Sequence, residues 1–304
     1  MDDHPDHLVL QRYVDQCAGA DECPLTLNPN IRLTRGDQRA EGALHPLLLS
    51  QFDSKDEIAW VQSPVTGLQE PFWLRETYLR VLSGLLEGSI EPKALALSQK
   101  TVLKLAGILV QPTLSTTRWD RTVIQLGDLF LKRGYCPVTN LINSLHLAAL
   151  RRHYRQLIRL GTLKLGDAQT CRRYVAHNES AAQIFHHHLT PIVTSVVRQP
   201  VKPSYVYTGA YQSGAELEKH TDREQCEFSL TLALDYSPEP VRETPWPLQL
   251  HTKESVVNIF QGLGDGLIYR GREIPHSRHI LPDGHTSTSI FFHYVPADFQ
   301  GSLD

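Results

Sequence analysis

The sequence predicts an α+β fold: a double-stranded β-helix, or jelly roll, with buttressing helices and a helical N-terminal part. Three observations predict it. Apolar residues recur at helical spacing in several stretches before residue 200. After Pro203, short runs rich in β-branched and aromatic residues are separated by turn residues. A block of strands following a block of helices suits two packed sheets braced by helices.

Taken in order, residues 1 to about 70 show weak periodicity and one apolar patch, Leu47 to Leu49. From Pro71, Trp73, Tyr78, Val81, Leu82, Leu85 and Leu86 fall at helical spacing and Gly88 supplies a stop. A second helix is expected from Pro92 to about Leu109. Val123 to Leu126 and Leu129 to Leu131 read as short extended pieces or a strand with a helix turn, and Gly134 to Pro137 as a strand end and turn. Thr139 or Asn140 can cap a long helix to Leu160, closed by Gly161. Its apolar stripe is Ile142, Leu145, Ala149, Leu150, Tyr154, Leu157 and Ile158. Its basic residues Arg151, Arg152, His153, Arg155 and Arg159 read as a solvated face. A further helix begins at Asn178 or Glu179 and runs to about Val197, with Pro191 imposing a kink or restart. The strands expected after it are 204–207, 217–221, 228–234, 256–260, 266–269 and 289–294. The domains expected are an N-terminal extension over 1–125 and the jelly roll over 126–304.

The 304 residues suffice for a full core. A net charge of -3 argues against a phosphate-tracking surface, so no nucleic-acid partner is expected. No apolar run approaches the roughly 20 residues that span a bilayer, so no membrane partner is expected either. The acidic start lacks the apolar core of a signal peptide, and a cytoplasmic location is expected. The five Cys (17, 23, 136, 171 and 226) include no Cys-x-x-Cys and read as reduced packing thiols. Cys17 and Cys23 lie close enough for a local disulfide or half a metal site.

Chemistry concentrates in His220-Thr221-Asp222 and His276. In a strand, residues i and i+2 face the same side, so His220 and Asp222 can aim at one ion. His276 follows 54 residues after Asp222, room for several strands and a return. Two imidazoles and one carboxylate can occupy one face of an octahedral metal, leaving three positions open, an arrangement suited to non-haem Fe(II). His279 is an alternative for the distal ligand. In His186-His187-His188, successive helix positions diverge by about 100°, so the run reads as a solvated helix face. Arg172, Arg173 and Tyr174, with His177 to Glu179, read as an interhelix linker that could touch substrate. Glu224, Gln225 and Glu227 read as turn residues able to support the metal carboxylate, and Trp246, between Pro245 and Pro247, as a packing residue of a rigid loop.

The stretch Tyr205-Val-Tyr-Thr-Gly-Ala-Tyr-Gln-Ser-Gly-Ala-Glu-Leu-Glu-Lys-His220-Thr-Asp222 resembles the strand–turn–strand of Fe(II)/2-oxoglutarate-dependent dioxygenases, especially the prolyl-hydroxylase-like branch. Gly264-Asp265-Gly266-Leu-Ile-Tyr is similar to that family's turn before the strand carrying the distal His. The resemblance covers roughly residues 125 to 300. It implies Fe(II) held by His220, Asp222 and His276, with 2-oxoglutarate as cosubstrate and O2 as oxidant. It also implies oxidation of a C–H bond of a small-molecule or peptidyl substrate, with release of succinate and CO2. The carboxylate at Asp222 favours hydroxylation, or desaturation or ring closure, over halogenation. The family usually places an Arg nine to twelve residues after the distal His; this chain has His285, Thr286, Ser287 and Thr288 there. A buried dicarboxylate still needs a cation. Arg278 shares strand parity with His276 and is the first candidate, before Arg270 and Arg272, with Tyr211 and one of Thr286, Thr288 or Ser289 as hydroxyl donors. That gap keeps two other readings open: a cupin-like metal enzyme without 2-oxoglutarate, and a non-catalytic jelly-roll binding protein. The N-terminal part could cover the pocket or mediate a homodimer.

Overall fold

A computed structural model describes residues 24–35, 57–63, 68–73, 76–111 and 117–304. Cys17, Cys23 and the Leu47–Leu49 patch lie outside the described residues. The chain divides into two compact units, Met1–Trp119 with Asn143–Ala148, and Asp120–Ile142 with Ala149–Asp304.

The first unit holds β1 (Thr26–Leu27), β2 (Ile31–Arg35), β3 (Glu57–Gln62), β4 (Gln69–Trp73), α1 (Glu76–Leu86), α2 (Leu97–Leu105) and β5 (Leu109–Val110). Strands β2, β3 and β4 form an antiparallel sheet in that order. The expectation of a helical N-terminal part is therefore corrected: sheet and helices share one core, in which Ala59, Val61 and Phe72 meet Leu82, Leu85 and Leu103. Pro71 and Trp73 belong to β4, an edge strand of this sheet, where a missing N–H is tolerated. The second expected helix is shorter, a 3-10 turn at Pro92–Ala94 followed by α2.

The second unit is built on α3 (Thr117–Arg133) from Asp120 on, β6 (Tyr135–Val138), α4 (Ser144–Arg159) from Ala149 on, β7 (Lys164–Leu165), β8 (Arg173–His177) and α5 (Ser180–Val197). It continues with β9 (Val201–Tyr211), β10 (Leu217–His220), β11 (Phe228–Ser237), β12 (Leu248–His251), β13 (Val256–Ile259), β14 (Gly266–Tyr269), β15 (His276–Arg278) and β16 (Thr286–Pro296). The extended pieces expected at 123–131 are corrected to helix α3, which turns Phe130 fully inward and leaves Ile124 and Leu131 exposed. Three-residue apolar runs do not distinguish strand from one helix face. Helix α4 starts later than Thr139, because the Asn143 side chain accepts from the Leu145 N–H at 2.9 Å. It ends where Gly161 takes φ 66°. The basic face of α4 is solvated only in part: Arg152 and Arg159 are exposed, whereas Arg151 is buried on Asp235 and Glu239, and Arg155 also binds Asp235. Glu179 caps α5 through the Ala181 and Ala182 N–H groups, and the helix runs through Pro191 without restarting.

From β9 onward the chain passes back and forth between two antiparallel sheets, except that β12 and β13 follow each other in the smaller one. One has the order β6-β14-β11-β16-β9-β8-β7 and the other β10-β15-β12-β13. Leu217, Leu248, Leu250, Leu267 and Tyr269 pack together across the two sheets. On the outer face of the larger sheet, the His186 ring of α5 meets Phe292 and Tyr294, and its Nε2 hydrogen-bonds the His293 carbonyl at 2.7 Å. His186 is thus a core residue, contrary to the solvated-face reading.

Candidate metal centre and cavity

His220 ends β10 and His276 begins β15, and the two strands pair antiparallel with these residues opposite each other. The ring centroids are 4.4 Å apart. Asp222 follows in the turn, its N–H bound to the Gly271 carbonyl at 3.0 Å. Asp222 Oδ1 lies 3.8 Å from His220 Nε2 and 3.5 Å from His276 Nε2. The liganding atoms of the three all lie within 4.8 Å of one another. The structure thus brings together the three ligands read from the sequence, whereas His279 is exposed and outside the group.

Their protons are arranged for an ion. His220 Nδ1 faces the Glu218 carbonyl at 2.8 Å and His276 Nδ1 faces the Ile274 carbonyl at 3.0 Å. A carbonyl only accepts, so each Nδ1 carries the hydrogen and each Nε2 lone pair is free. Burial, then the charge of His276, pushes the His220 imidazole down, favouring the neutral ligand form. Burial alone would raise the Asp222 carboxyl. Against it act the hydrogen bond and charge that His276 supplies when protonated, the charge of a protonated His293 and the Ser229 hydroxyl, and together they hold the group well below the usual carboxylate range. Ser229 Oγ donates to Asp222 Oδ2 at 2.6 Å and lies 3.0 Å from His293 Nδ1. Burial brings His293 down to about 4, so its ring is neutral and Nδ1–H donates to Ser229. This chain leaves Oδ1 for the ion, the outer support that metal carboxylates use. Residue 271 must be glycine here, since a Cβ would collide with Asp222 Oδ2, Ser229 Oγ and the Cys226 carbonyl. Two neutral imidazoles, one ionised carboxylate and an open side fit a divalent first-row metal.

The open side is a cavity of about 400 Å³. The three ligands share its wall with Tyr205, Tyr207, Tyr211, Tyr269, Phe291 and His293, and with Arg173 and Asp167. Arg173, expected in a linker able to touch substrate, is instead a strand residue of the cavity wall. It stands on β8, opposite Tyr211 in register, and is almost fully buried. Its Nη1 donates to the Tyr211 hydroxyl at 2.7 Å and its Nε to Asp167 at 2.7 Å. The Tyr207 hydroxyl also donates to Asp167, at 2.6 Å.

The three residues assigned to the cosubstrate fare differently. Tyr211 lines the cavity. Arg278 is buried just off the lining: Nη1 donates to the Trp246 carbonyl at 2.7 Å, its guanidinium lies 4.6 Å from the Trp246 ring, and its Nε has no partner. Burial lowers its pKa, with Tyr211, Tyr269 and Tyr236 opposing. Thr288 is corrected. It shares strand parity with Ile290 and Phe292, the face turned to α5, while Ser287 and Ser289 take the cavity parity of Phe291 and His293. Arg270 stacks on Phe130 and Phe228, and Arg272 pairs with Glu227, so neither reaches the cavity. Trp246 is buried, its indole N–H on the His279 carbonyl and its ring against Tyr211.

No protein-family model and no curated protein matches the chain. Among solved structures it is similar to a Pseudomonas putida prolyl-4-hydroxylase, at 15% identity and TM-score 0.47, covering 57% of this chain and 100% of that one. It is also similar to a Trichoplax adhaerens prolyl hydroxylase in complex with a hypoxia inducible factor peptide, at 14% identity and TM-score 0.49 (60% and 94% covered). A third is the non-heme alpha-ketoglutarate-dependent epimerase SnoN of nogalamycin biosynthesis, at 14% identity and TM-score 0.48 (59% and 84% covered). At these values the functional argument rests on the residues of the site.

Proposed function

We propose that residues 126–304 form an Fe(II)- and 2-oxoglutarate-dependent oxygenase domain that oxidises a C–H bond, hydroxylation being the favoured outcome. The carrying observation is the His220, Asp222 and His276 group, with its free Nε2 atoms and a carboxylate held ionised against a cavity. The strand order supports the reading, since eight strands, β9 to β16, are dealt to two antiparallel sheets in the orders β14-β11-β16-β9 and β10-β15-β12-β13, as in a double-stranded β-helix. Fe(II) on these ligands, with 2-oxoglutarate and O2, would supply the oxidising power and release succinate and CO2. The chain's own residues do the rest. His220, Asp222 and His276 hold one face of the ion. Tyr205, Tyr207, Tyr211 and Phe291 give the substrate an aromatic wall that sheds water. Arg278 holds the distal carboxylate of 2-oxoglutarate with Tyr211 assisting, because a buried guanidinium with an unpaired Nε and no ion pair among the described residues calls for an anion.

Replacing His220, Asp222 or His276 by Ala should reduce Fe(II)-dependent succinate formation to background while circular dichroism stays that of the native chain. A His276→Ala protein that binds Fe(II) normally would remove the distal ligand from this scheme. Metal-dependent turnover without 2-oxoglutarate consumption would favour the cupin-like alternative, and no turnover with any cosubstrate the non-catalytic one.

A further inference from the structure

Beside the metal ligands lie two oxidisable side chains in contact, one on the substrate wall and one behind it. Cys226 closes the 3-10 turn Glu224–Cys226 that follows Asp222. Tyr205 of β9 reaches it, with phenol oxygen and Sγ 3.1 Å apart. Both are buried, at 1% and 6% exposure. Tyr205 is on the cavity wall with the ligands, and Cys226 is not. The sulfur nevertheless lies within 4.8 Å of the liganding atoms of Asp222 and His293. A second metal on Asp222, Cys226 and His293 is disfavoured. Ser229 already engages Asp222 Oδ2 and His293 Nδ1, and burial, then the Asp222 charge, pushes the thiol up to about 12.

We infer that Tyr205 and Cys226 form a modification site, at which a tyrosine–cysteine thioether is made when the centre turns over without substrate. The inference rests on the oxygenase reading. Phenol and thiol are among the most readily oxidised side chains, and here they touch each other within reach of the oxidant. The bonds broken are the ring C–H ortho to the phenol oxygen and the S–H; the bond formed is carbon–sulfur, and the phenol O–H is kept. The pair gives up two electrons and two protons. O2 takes them together with the two electrons released when 2-oxoglutarate is oxidatively decarboxylated; one oxygen atom ends in succinate and the other in water, so each thioether is accompanied by one succinate, one CO2 and one water. The link ties β9 to the turn that carries Asp222, so it would also fix the metal carboxylate in place.

The test is to load the full-length protein with Fe(II) anaerobically, add 2-oxoglutarate and air without substrate, and follow succinate, free thiols in denaturant and peptide masses. The expected result is loss of one free thiol and a cross-linked peptide pair lighter than its parts by two hydrogens. Tyr205→Phe and Cys226→Ala should both lack that product, and Cys226→Ala, whose change lies off the cavity wall, should still form succinate. Succinate without a mass change, oxygen added to either side chain instead of the link, or equal thiol loss in Tyr205→Phe would overturn the inference and leave the oxygenase reading standing. No succinate from the loaded wild type would overturn both.

Discussion

Asp222 depends on neighbours that never touch the ion. With Ser229 absent, Oδ2 loses its donor and the carboxylate is free to rotate away from the imidazoles. Ser229→Ala should therefore weaken Fe(II) or Co(II) binding roughly 10- to 100-fold, read by anaerobic titration, and Ser229→Thr should restore part of it. A second residue-scale prediction concerns Glu70 in the first unit. Burial raises its carboxyl from 4.5 to about 7, against hydrogen bonds from Ser63 and Asn143. The folded state thus holds a proton that the unfolded chain has already lost between those values. Stability should fall as pH rises through this window, by about 3 kcal/mol in all, and level off above pH 7. Glu70→Gln should flatten that slope in unfolding curves at pH 5 and pH 8; an identical slope would refute the shift.

Helix α4 shows how an element can be located from sequence while its faces are misread. Its stop at Gly161 and its core residues Leu150 and Tyr154 follow from periodicity. Arg151 follows from nothing local. A helical wheel cannot anticipate that β11 brings Asp235 beneath it, with Glu239 just beyond. Arg151→Ala should cost about 3 kcal/mol, the lower end for breaking a buried pair, because Arg155 still pairs with Asp235. A loss below about 0.5 kcal/mol would place the pair among exposed bridges. Strands β8, β12 and β15 went unread for a related reason. Each has three to five residues, too few for a period to show, and each is held by its neighbours' ladders.

At the scale of the whole second unit, two buried cations flank Tyr211, and the fold gives them different tasks. Arg173 is already neutralised by Asp167, whereas Arg278 has no ion pair among the described residues. Arg278→Gln should therefore raise the 2-oxoglutarate requirement on the order of 30-fold or more, the equivalent of roughly 2–5 kcal/mol. Arg173→Gln should leave that requirement near the wild-type value. A cosubstrate titration of both variants decides it, and the opposite ranking would move the anchor to β8.

Taken alone, the sequence picked out His220, Asp222 and His276 as one group and located most strands after Pro203. Two-residue spacing sets side-chain direction locally, and a distal His needs only enough intervening chain to return. Tertiary structure alone decided that Arg173 enters the cavity, that Thr288 turns away from it and that His186 is buried. Each of these depends on which strand or helix lies alongside, through a register and a packing partner far away in the chain. Short-range periodicity carries no record of either.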